Sequence, residues 1–244
     1  MSIIASLRRY EDVNAEIKEH LLSKKKAVVK DVNGQRYIGC ALEKGKKIAI
    51  YGTAGNDMAC YLAGGSVEVF GNCQDAVGNT MGGGEIVIHG HTGDALGYGM
   101  RDGQIYIRDN ACCRAGIHMK EFKGMKPVLV IGQNAGAFLG EYMAGGVIVL
   151  LGIALEEGET LFGSHCASGM HGGKIFIRGD FPKEHISPNI KIEPLNQKDR
   201  AELEEYIRKY CRYFNGDYDE IMKKPFKKLT PVSTRPYANM YVAN

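Results

Sequence analysis

The sequence lacks several features that mark common protein classes. It has no tryptophan and seven prolines among 244 residues, and three glycines interrupt its most apolar stretch, residues 142–155. That stretch is too short for a membrane span, so we expect no membrane association. The net charge is only +3, which gives no reason to expect nucleic-acid binding.

Cysteine usage argues against a disulfide framework and against a metal site. The seven cysteines are odd in number, none forms a C-x-x-C motif, and no secretory signal is recognisable. These features predict reduced thiols and a cytoplasmic location. An iron–sulfur cluster needs several thiolates at short spacings, and only Cys112 and Cys113 are close in sequence. We therefore expect no metal ion or cluster on this chain.

Composition divides the chain into three segments. Residues 48–179 hold 28 of the 32 glycines and only 20 charged residues. The flanking segments, 1–47 and 180–244, are much richer in charge. We expect an N-terminal arm with a helix, a glycine-rich domain, and a C-terminal helix followed by a tail.

The glycine-rich segment repeats one pattern, in which glycines frame two aliphatic residues that are separated by a single residue. Clear copies are residues 65–71, 84–90, 103–109, 146–152 and 173–179, and weaker copies are 47–52 and 127–132. The closing positions are 52, 71, 90, 109, 132, 152 and 179, so the intervals are 19, 19, 19, 23, 20 and 27 residues. A near-constant period with occasional insertions is typical of stacked coils.

This repeat predicts a right-handed, single-stranded parallel β-helix of about seven coils. In each strand the paired aliphatic residues, such as Ile86 and Ile88, point to one face. One coil cannot bury its pair alone, but coils stacked about 4.8 Å apart fill a continuous core. The usual handedness of parallel crossovers favours the right-handed form.

An apolar column is predicted on the outside of this rod. The residue between the two inward positions of each strand points outward, and from the third strand onward it is apolar. The column comprises Val87, Tyr106, Leu129, Val149 and Phe176. Because an exposed apolar face needs a cover, we expect these residues to form an interface with the chain's own arms or with another subunit.

Both ends of the chain carry amphipathic helix patterns. The first, over residues 11–22, places three apolar residues on one face: Val13, Ile17 and Leu21. The second begins at a predicted N-cap, Asn196, and its apolar face comprises Leu203, Ile207, Tyr210 and Phe214. We expect both helices to pack on the rod or to cap its ends, and residues 223–244 to be extended.

Two polar motifs invite a catalytic or metal-binding interpretation, and a structural one is favoured for each. His165 and Cys166 are neighbours, and neighbours along an extended chain point in opposite directions rather than at each other. Asn56, Asp75 and Asp94 recur at the repeat interval. Such a ladder usually bonds the backbone amides of turns, and a calcium site would demand more carboxylates.

A third polar group suggests a polysaccharide-cleaving site of the kind found on other β-helices. It comprises Arg101, Asp102, Arg108 and Asp109, with Arg178 on a later coil. A sugar site normally needs paired carboxylates, and the outer column here is apolar instead. We assign no catalytic, cofactor-binding or metal-binding residue to this chain.

The repeated coils resemble the GXGXG domain. The pattern G-x-a-G-[ND] followed by G-G-x-[IV]-x-[IV]-x-G runs from Gly52 to Gly71, and residues 168–177 are similar to that family's final coil. A helix followed by a Phe226 to Pro231 ending also fits, so the resemblance covers roughly residues 35–235. This domain forms the C-terminal part of the large subunit of glutamate synthase.

The resemblance implies a structural or assembly component of a glutamate synthase without an active site of its own. In that family the amidotransferase cysteine and the sites for FMN and the iron–sulfur cluster lie in other domains. Both cofactors are therefore expected in partner subunits, a glutaminase and an FMN-binding synthase, which this chain would brace. In that family this domain follows the glutaminase and FMN domains in one polypeptide, whereas here it begins at Met1. We therefore expect a separate subunit of a split enzyme, and self-association into a homo-oligomer stays open.

Two alternatives remain. The same repeat occurs in one of the subunits of formylmethanofuran dehydrogenase, and many free-standing β-helices are hydrolases or lyases. The C-terminal helix and the ending at Pro231 favour glutamate synthase over the first alternative. The apolar outer column disfavours the second.

Overall fold

The computed structural model describes residues 2–155 and 158–234, and in them one continuous sheet winds into a parallel β-helix. Its strands are β1 Ile3–Ile4, β2 Lys26–Asn33, β3 Lys47–Thr53, β4 Ala63–Phe70, β5 Gly82–Ile88, β6 Asp102–Ile107, β7 Val128–Ile131, β8 Ala144–Leu150, β9 Gly172–Arg178, β10 Ile190–Pro194 and β11 Phe226–Pro231. The helices are α1 Tyr10–Ser23, α2 Gln197–Phe214 and α3 Tyr218–Met222, and a 3-10 turn spans Lys183–His185. None of these helices is long and apolar enough to cross a membrane.

The predicted parallel β-helix is confirmed, and strands β3 to β9 are its seven predicted copies. Ile50 pairs with Val69, Val69 with Ile88, and Ile88 with Ile107, each step being 19 residues. Equivalent aliphatic residues therefore stack coil upon coil. Their side chains form the interior cluster of the rod, from which water is excluded.

The predicted register of β7 is wrong by one residue. Leu129 pairs with Ile105 and Ile148 inside the rod, whereas Val130 pairs with Tyr106 on the outer face. All four residues of β7 are apolar and buried, so their alternation gives no contrast between inside and outside. Leu129 is therefore a core residue and not a member of the outer column. With this correction the intervals on either side of β7 become 24 and 19 residues.

The parallel sheet extends into the segment predicted as an N-terminal arm. Strand β2 pairs in parallel with β3, placing Val29 beside Ile50, and the two-residue β1 pairs with β2. Helix α1 buries its predicted apolar face against this first coil, and the residues concerned are Val13, Ile17 and Leu21. Such a cover blocks further strand addition at this end of the stack.

The other end of the stack is closed by residues from the predicted tail. Strand β11 pairs antiparallel with β9, and β10 pairs antiparallel with β11. Leu229 of β11 lies beside Ile175 of β9 and is fully buried. Residues 226–231 of the tail therefore form a sheet strand, and residues 235–244 lie outside the described part of the chain.

Opposite the strands, each coil turns through alternate residues that have a positive φ. These residues are Asp57, Ala59 and Tyr61; Ala76, Gly78 and Thr80; Ala95, Gly97 and Gly99; Arg114, Gly116 and His118; and Phe138, Gly140 and Tyr142. The middle residue of each set faces the core, where a Cβ on Gly78 would lie 2.7 Å from Ile105 Cδ1. The outer two residues project from the rod. We refer to the surface formed by residues 57–61, 76–80, 95–101, 114–120, 138–144 and 165–171 as the turn face.

Candidate functional site

Helix α2 covers the predicted interface column. Val87 is 3 % exposed, and Tyr106, Val149 and Phe176 are fully buried. Three of these outer residues share a buried cluster with residues of α2 and the segment after it: Leu203, Tyr206, Ile207, Tyr210, Ile221 and Phe226. The cover is therefore the chain's own C-terminal arm. The column offers little surface to a partner protein.

The start of α2 follows the predicted capping pattern and is held to the sheet by ion pairs. Asn196 and Asp199 form a capping box, as expected. Lys174 of β9 lies 3.1 Å from Asp199 and 2.6 Å from Glu202, and Lys228 of β11 lies 2.8 Å from Asp199. Burial by itself raises the pKa of both carboxyl groups. The hydrogen bonds from lysine outweigh that effect and hold each pKa below its usual value.

Arg178 anchors the segment that follows α2. Its guanidinium donates hydrogen bonds to the carbonyl oxygens of Ile221 at 2.6 Å, Leu151 at 3.2 Å and Glu220 at 3.3 Å. Burial lowers the pKa of this guanidinium, because desolvation disfavours the charged form. Arg178 is therefore a structural clamp between the last parallel coils and α3.

The other members of the charged group that suggested a sugar site lie in separate environments. Arg108 pairs with its neighbour Asp109 at 2.9 Å, on the side of the rod covered by α2. Asp102 accepts a hydrogen bond at 3.1 Å from the backbone N–H of Lys126. Arg101 lies at the turn face instead. The structure does not bring these residues together with Arg178.

The Asn and Asp ladder bonds backbone amides, as predicted. Asn56 Oδ1 accepts from the N–H of Asp75 at 3.3 Å, and Asp75 Oδ1 accepts from the N–H of Asp94 at 2.9 Å. Asp94 Oδ1 in turn accepts from the N–H of Cys113 at 3.0 Å. Each carboxyl or amide thus fixes the turn of the next coil.

The end of this ladder places three possible metal ligands close together. One ligand atom each of Asp94, Cys112 and Cys113 lies within 4.8 Å of the others. The hydrogen bond to Asp94, together with burial, raises the pKa of the Cys112 thiol to about 11. The thiol is therefore protonated at neutral pH, and Asp94 already accepts a backbone hydrogen bond. A metal ion would have to displace these interactions.

The insertion that contains His165 and Cys166 does not form a nucleophile and base pair. Cys166 is fully buried, and burial raises the pKa of its thiol to about 12. His165 has a φ of +61° and stacks on the ring of Phe138 at 4.9 Å. A protonated, inaccessible thiol cannot attack a substrate.

A hollow of about 420 Å³ lies on the turn face, and several cationic side chains line it. Its main lining residues are Tyr98, Arg101, His118, Lys120, Tyr142 and His171. Two small residues, Gly99 and Ala144, also line the hollow. Ala144 has the same coil position as Lys120 and His171, and its short side chain leaves space between them.

The coil register aligns the cationic residues of the hollow. Arg101, Lys120 and His171 each follow a buried methionine, and the N–H of each donates to a methionine carbonyl of the preceding coil, at 2.8, 3.0 and 2.9 Å. Arg101 and Lys120 therefore project from adjacent coils. Beside them the rings of His118 and Tyr142 stack at 5.3 Å.

Sequence reasoning missed Lys120, His118 and His171 as parts of one site. A signal was present, since the methionine repeat that marks each coil is followed by Arg101, Lys120 and His171. However, the coils differ in length, so the sequence alone does not show which of the residues after each methionine face the same hollow. The coil register is what brings them together.

Fold and turn face together define a parallel β-helix protein built from a glycine-framed repeat. The sequence model of the GXGXG motif matches residues 5–233, and the chain therefore belongs to the GXGXG family. It is also 41% identical over 242 residues to an uncharacterized protein of Methanocaldococcus jannaschii. That alignment covers 95% of this chain and 92% of the archaeal protein.

Proposed function

We propose that this chain is a non-catalytic structural subunit of a glutamate synthase, the enzyme that forms glutamate from glutamine and 2-oxoglutarate. The observation that carries the proposal is the family match over residues 5–233, because the GXGXG domain occurs in glutamate synthase. The proposed partners are a glutaminase subunit and an FMN-binding synthase subunit. FMN and the iron–sulfur cluster belong to those partners.

A rod of stacked coils suits a bracing role. Its strands pair from coil to coil along the whole stack, and its interior is continuously apolar and buried. Close packing of this kind resists deformation, so two proteins bound to the rod keep a fixed separation. A fixed separation favours transfer of ammonia from the glutaminase to the synthase.

An exposed aromatic pair supplies a docking surface for one partner. Tyr51 and Phe70 stack at 4.7 Å with an interplanar angle of 14°, and Phe70 stacks equally closely on His89. Helix α2 ends at Phe214, whose ring contacts His89 edge-on. The covered outer face thus continues beyond α2 as an uncovered pair, with Tyr51 42% and Phe70 38% exposed. Exposed aromatic residues of this kind are enriched at protein interfaces.

Co-purification tests the proposal. The tagged chain, expressed with the glutaminase and synthase subunits, should retain both partners on an affinity column. Replacing Tyr51 and Phe70 together by Ser should weaken the complex by about 2 kcal/mol or more, as expected for central aromatic contacts. Tyr61→Ser is the matched control, because Tyr61 is 57% exposed but lies on the turn face.

Two results would count against the proposed assembly role, and a third would change only the location of the docking surface. Retention of neither partner by the unaltered chain would remove the proposed assembly role. Co-purification from native cells with a molybdenum or tungsten enzyme would instead favour the formylmethanofuran dehydrogenase alternative. Equal weakening by Tyr61→Ser would relocate the docking surface to the turn face.

A further inference from the structure

We propose that the hollow on the turn face binds a small organic anion through a carboxylate or phosphate group. The inference rests on the geometry of residues 98–101, 118–120, 142–144 and 171, and it does not depend on the proposed assembly role. Arg101 and Lys120 hold the anionic group. The rings of His118 and Tyr142 flank it, and His171 contacts the far end of the ligand.

Within residues 2–155 and 158–234, no carboxylate pairs with the two strong cations of the hollow, Arg101 and Lys120. Three acidic side chains close in sequence to the lining residues have other partners. Asp102 accepts from the backbone N–H of Lys126 at 3.1 Å, Glu141 pairs with Arg114 at 3.6 Å, and Glu121 accepts from a backbone N–H at 3.3 Å. Two adjacent unpaired cations attract an oxyanion.

The geometry of the two cations suits one oxyanion group. Arg101 and Lys120 project from adjacent coils, whose strands lie about 4.8 Å apart. A guanidinium offers two parallel N–H donors to a carboxylate or phosphate, and an ammonium adds a third donor from the side. A single oxyanion can therefore contact both residues at once.

The size and lining of the hollow suit a small molecule. Its volume of about 420 Å³ lies within the range of small-molecule pockets. Gly99 and Ala144 leave the floor open, whereas Tyr98 and Tyr142 supply ring surface at its sides. An aliphatic or planar ligand body can lie against these rings while its charged group stays with the cations.

His171 supplies a second polar contact at the opposite end. Its Nδ1 hydrogen-bonds the carbonyl oxygen of Gly169 at 3.1 Å, which leaves Nε2 free for a ligand. The coil that carries Ala144 separates Lys120 from His171, so the two positions are roughly 10 Å apart. This spacing fits a molecule with a second polar group, such as a dicarboxylate or a small phosphate ester.

Isothermal titration calorimetry of the full chain tests the site, with glutarate and inorganic phosphate as separate probes. At least one probe should bind with a dissociation constant on the order of 1 mM or tighter, at constant ionic strength. Arg101→Gln and Lys120→Gln should each weaken binding about tenfold, the usual loss for one charge-assisted hydrogen bond. Lys25→Gln, which removes an exposed lysine at the other end of the rod, should leave binding unchanged.

A second variant separates shape from charge. Ala144→Leu fills the floor of the hollow and keeps every cation, and it should also weaken binding about tenfold. If Lys25→Gln weakened binding as much as Arg101→Gln and Lys120→Gln do, the effect of charge would be non-specific, which would overturn the proposal. Failure of both probes to bind would overturn it as well. Circular dichroism checks that each variant keeps its fold.

Discussion

Gly84 illustrates how closely the backbones of neighbouring coils approach. A Cβ at this position would lie 2.2 Å from the carbonyl oxygen of Gly65, and the residue has a φ of +95°. The backbone of the adjacent coil cannot yield without breaking ladder hydrogen bonds. We predict that Gly84→Ala lowers the free energy of unfolding by about 3 kcal/mol or more, measured by urea denaturation.

Gly124 provides the matched control for this substitution. Its φ is +82°, but a Cβ there would meet no atom within 4 Å. Gly124→Ala should therefore show only the backbone strain, about 1 kcal/mol. If the two substitutions lowered the free energy of unfolding equally, the close approach of the coils would not add to the cost of Gly84→Ala.

Non-glycine residues at the turn positions carry strain that glycine would relieve. Ala76 has a φ of +59° and is only partly buried, so its methyl group contributes little packing. We predict that Ala76→Gly raises the free energy of unfolding by roughly 0.5–1 kcal/mol. Ala49→Gly, in the extended strand β3, should lower it by a similar amount. A destabilised Ala76→Gly variant would contradict the proposed strain.

At the scale of single elements, the contact of α2 with the outer column is directly testable. Val149 of β8 is fully buried in the cluster that α2 covers, so a carboxylate there would be desolvated without a partner. Val149→Glu should lower the free energy of unfolding by about 3 kcal/mol or more. Ile192→Glu, at a position 38% exposed on β10, should change it by less than about 0.5 kcal/mol.

Unchanged stability of the Val149→Glu variant would mean that α2 does not cover the column in solution. In that case the column would again be free for a partner protein. Thermal unfolding followed by circular dichroism distinguishes these outcomes, because loss of the α2 contact removes both helix signal and cooperativity.

The ion pairs of α2 predict a dependence of stability on pH. The pKa values of Asp199 and Glu202 are lowered in the folded protein. Their contribution is therefore complete above the unfolded pKa, near 4, and is lost as the pH falls through the lower folded values. Asp199→Asn should be less stable than the unaltered protein at pH 7, and should lose less stability between pH 5 and pH 2.

Glu19→Gln is the control for this pH series, since Glu19 is an exposed residue of α1. Its stability profile should follow that of the unaltered protein. A profile of Asp199→Asn parallel to the unaltered one across the acidic range would contradict the role of the ion pairs.

Strands and helices with a strong periodic pattern of apolar and polar residues could be predicted from sequence. Elements that lack such a pattern could not. Strands such as β5 show two aliphatic residues framed by glycines, and α2 shows a capping box and one apolar face. In β7 every residue is apolar, so the hydrogen-bonded neighbours decide which face is inward. Strand β2 lacks the glycine frame, and for that reason its coil was not predicted.

Contacts between distant elements were also beyond the sequence. The apolar face of α2 indicates that the helix packs somewhere, but not that it packs on Tyr106 and Phe176. The hollow depends on Gly99 and Ala144 lying beside Arg101 and Lys120, which follows only from the coil register. Insertions of different length between coils hide that register in the sequence.

At the scale of the whole molecule, the protein resembles a spacer. It is a stack of coils with a covered outer face, and its two proposed binding surfaces are the exposed aromatic pair and the turn face. Helix α1 covers the first coil, and the antiparallel β10–β11 pair continues the sheet beyond the last parallel strand. The outer column is covered, whereas Tyr51 and Phe70, the proposed docking surface, are exposed.

The most direct test of the bracing role is the rate of glutamate formation by the glutaminase and synthase subunits, with and without this chain. The electron donor is held saturating, and either glutamine or free ammonia supplies the nitrogen. We predict that adding the chain raises the glutamine-dependent rate and leaves the ammonia-dependent rate unchanged. Equal rates with and without the chain, or glutamate formation by the isolated chain, would contradict a bracing role.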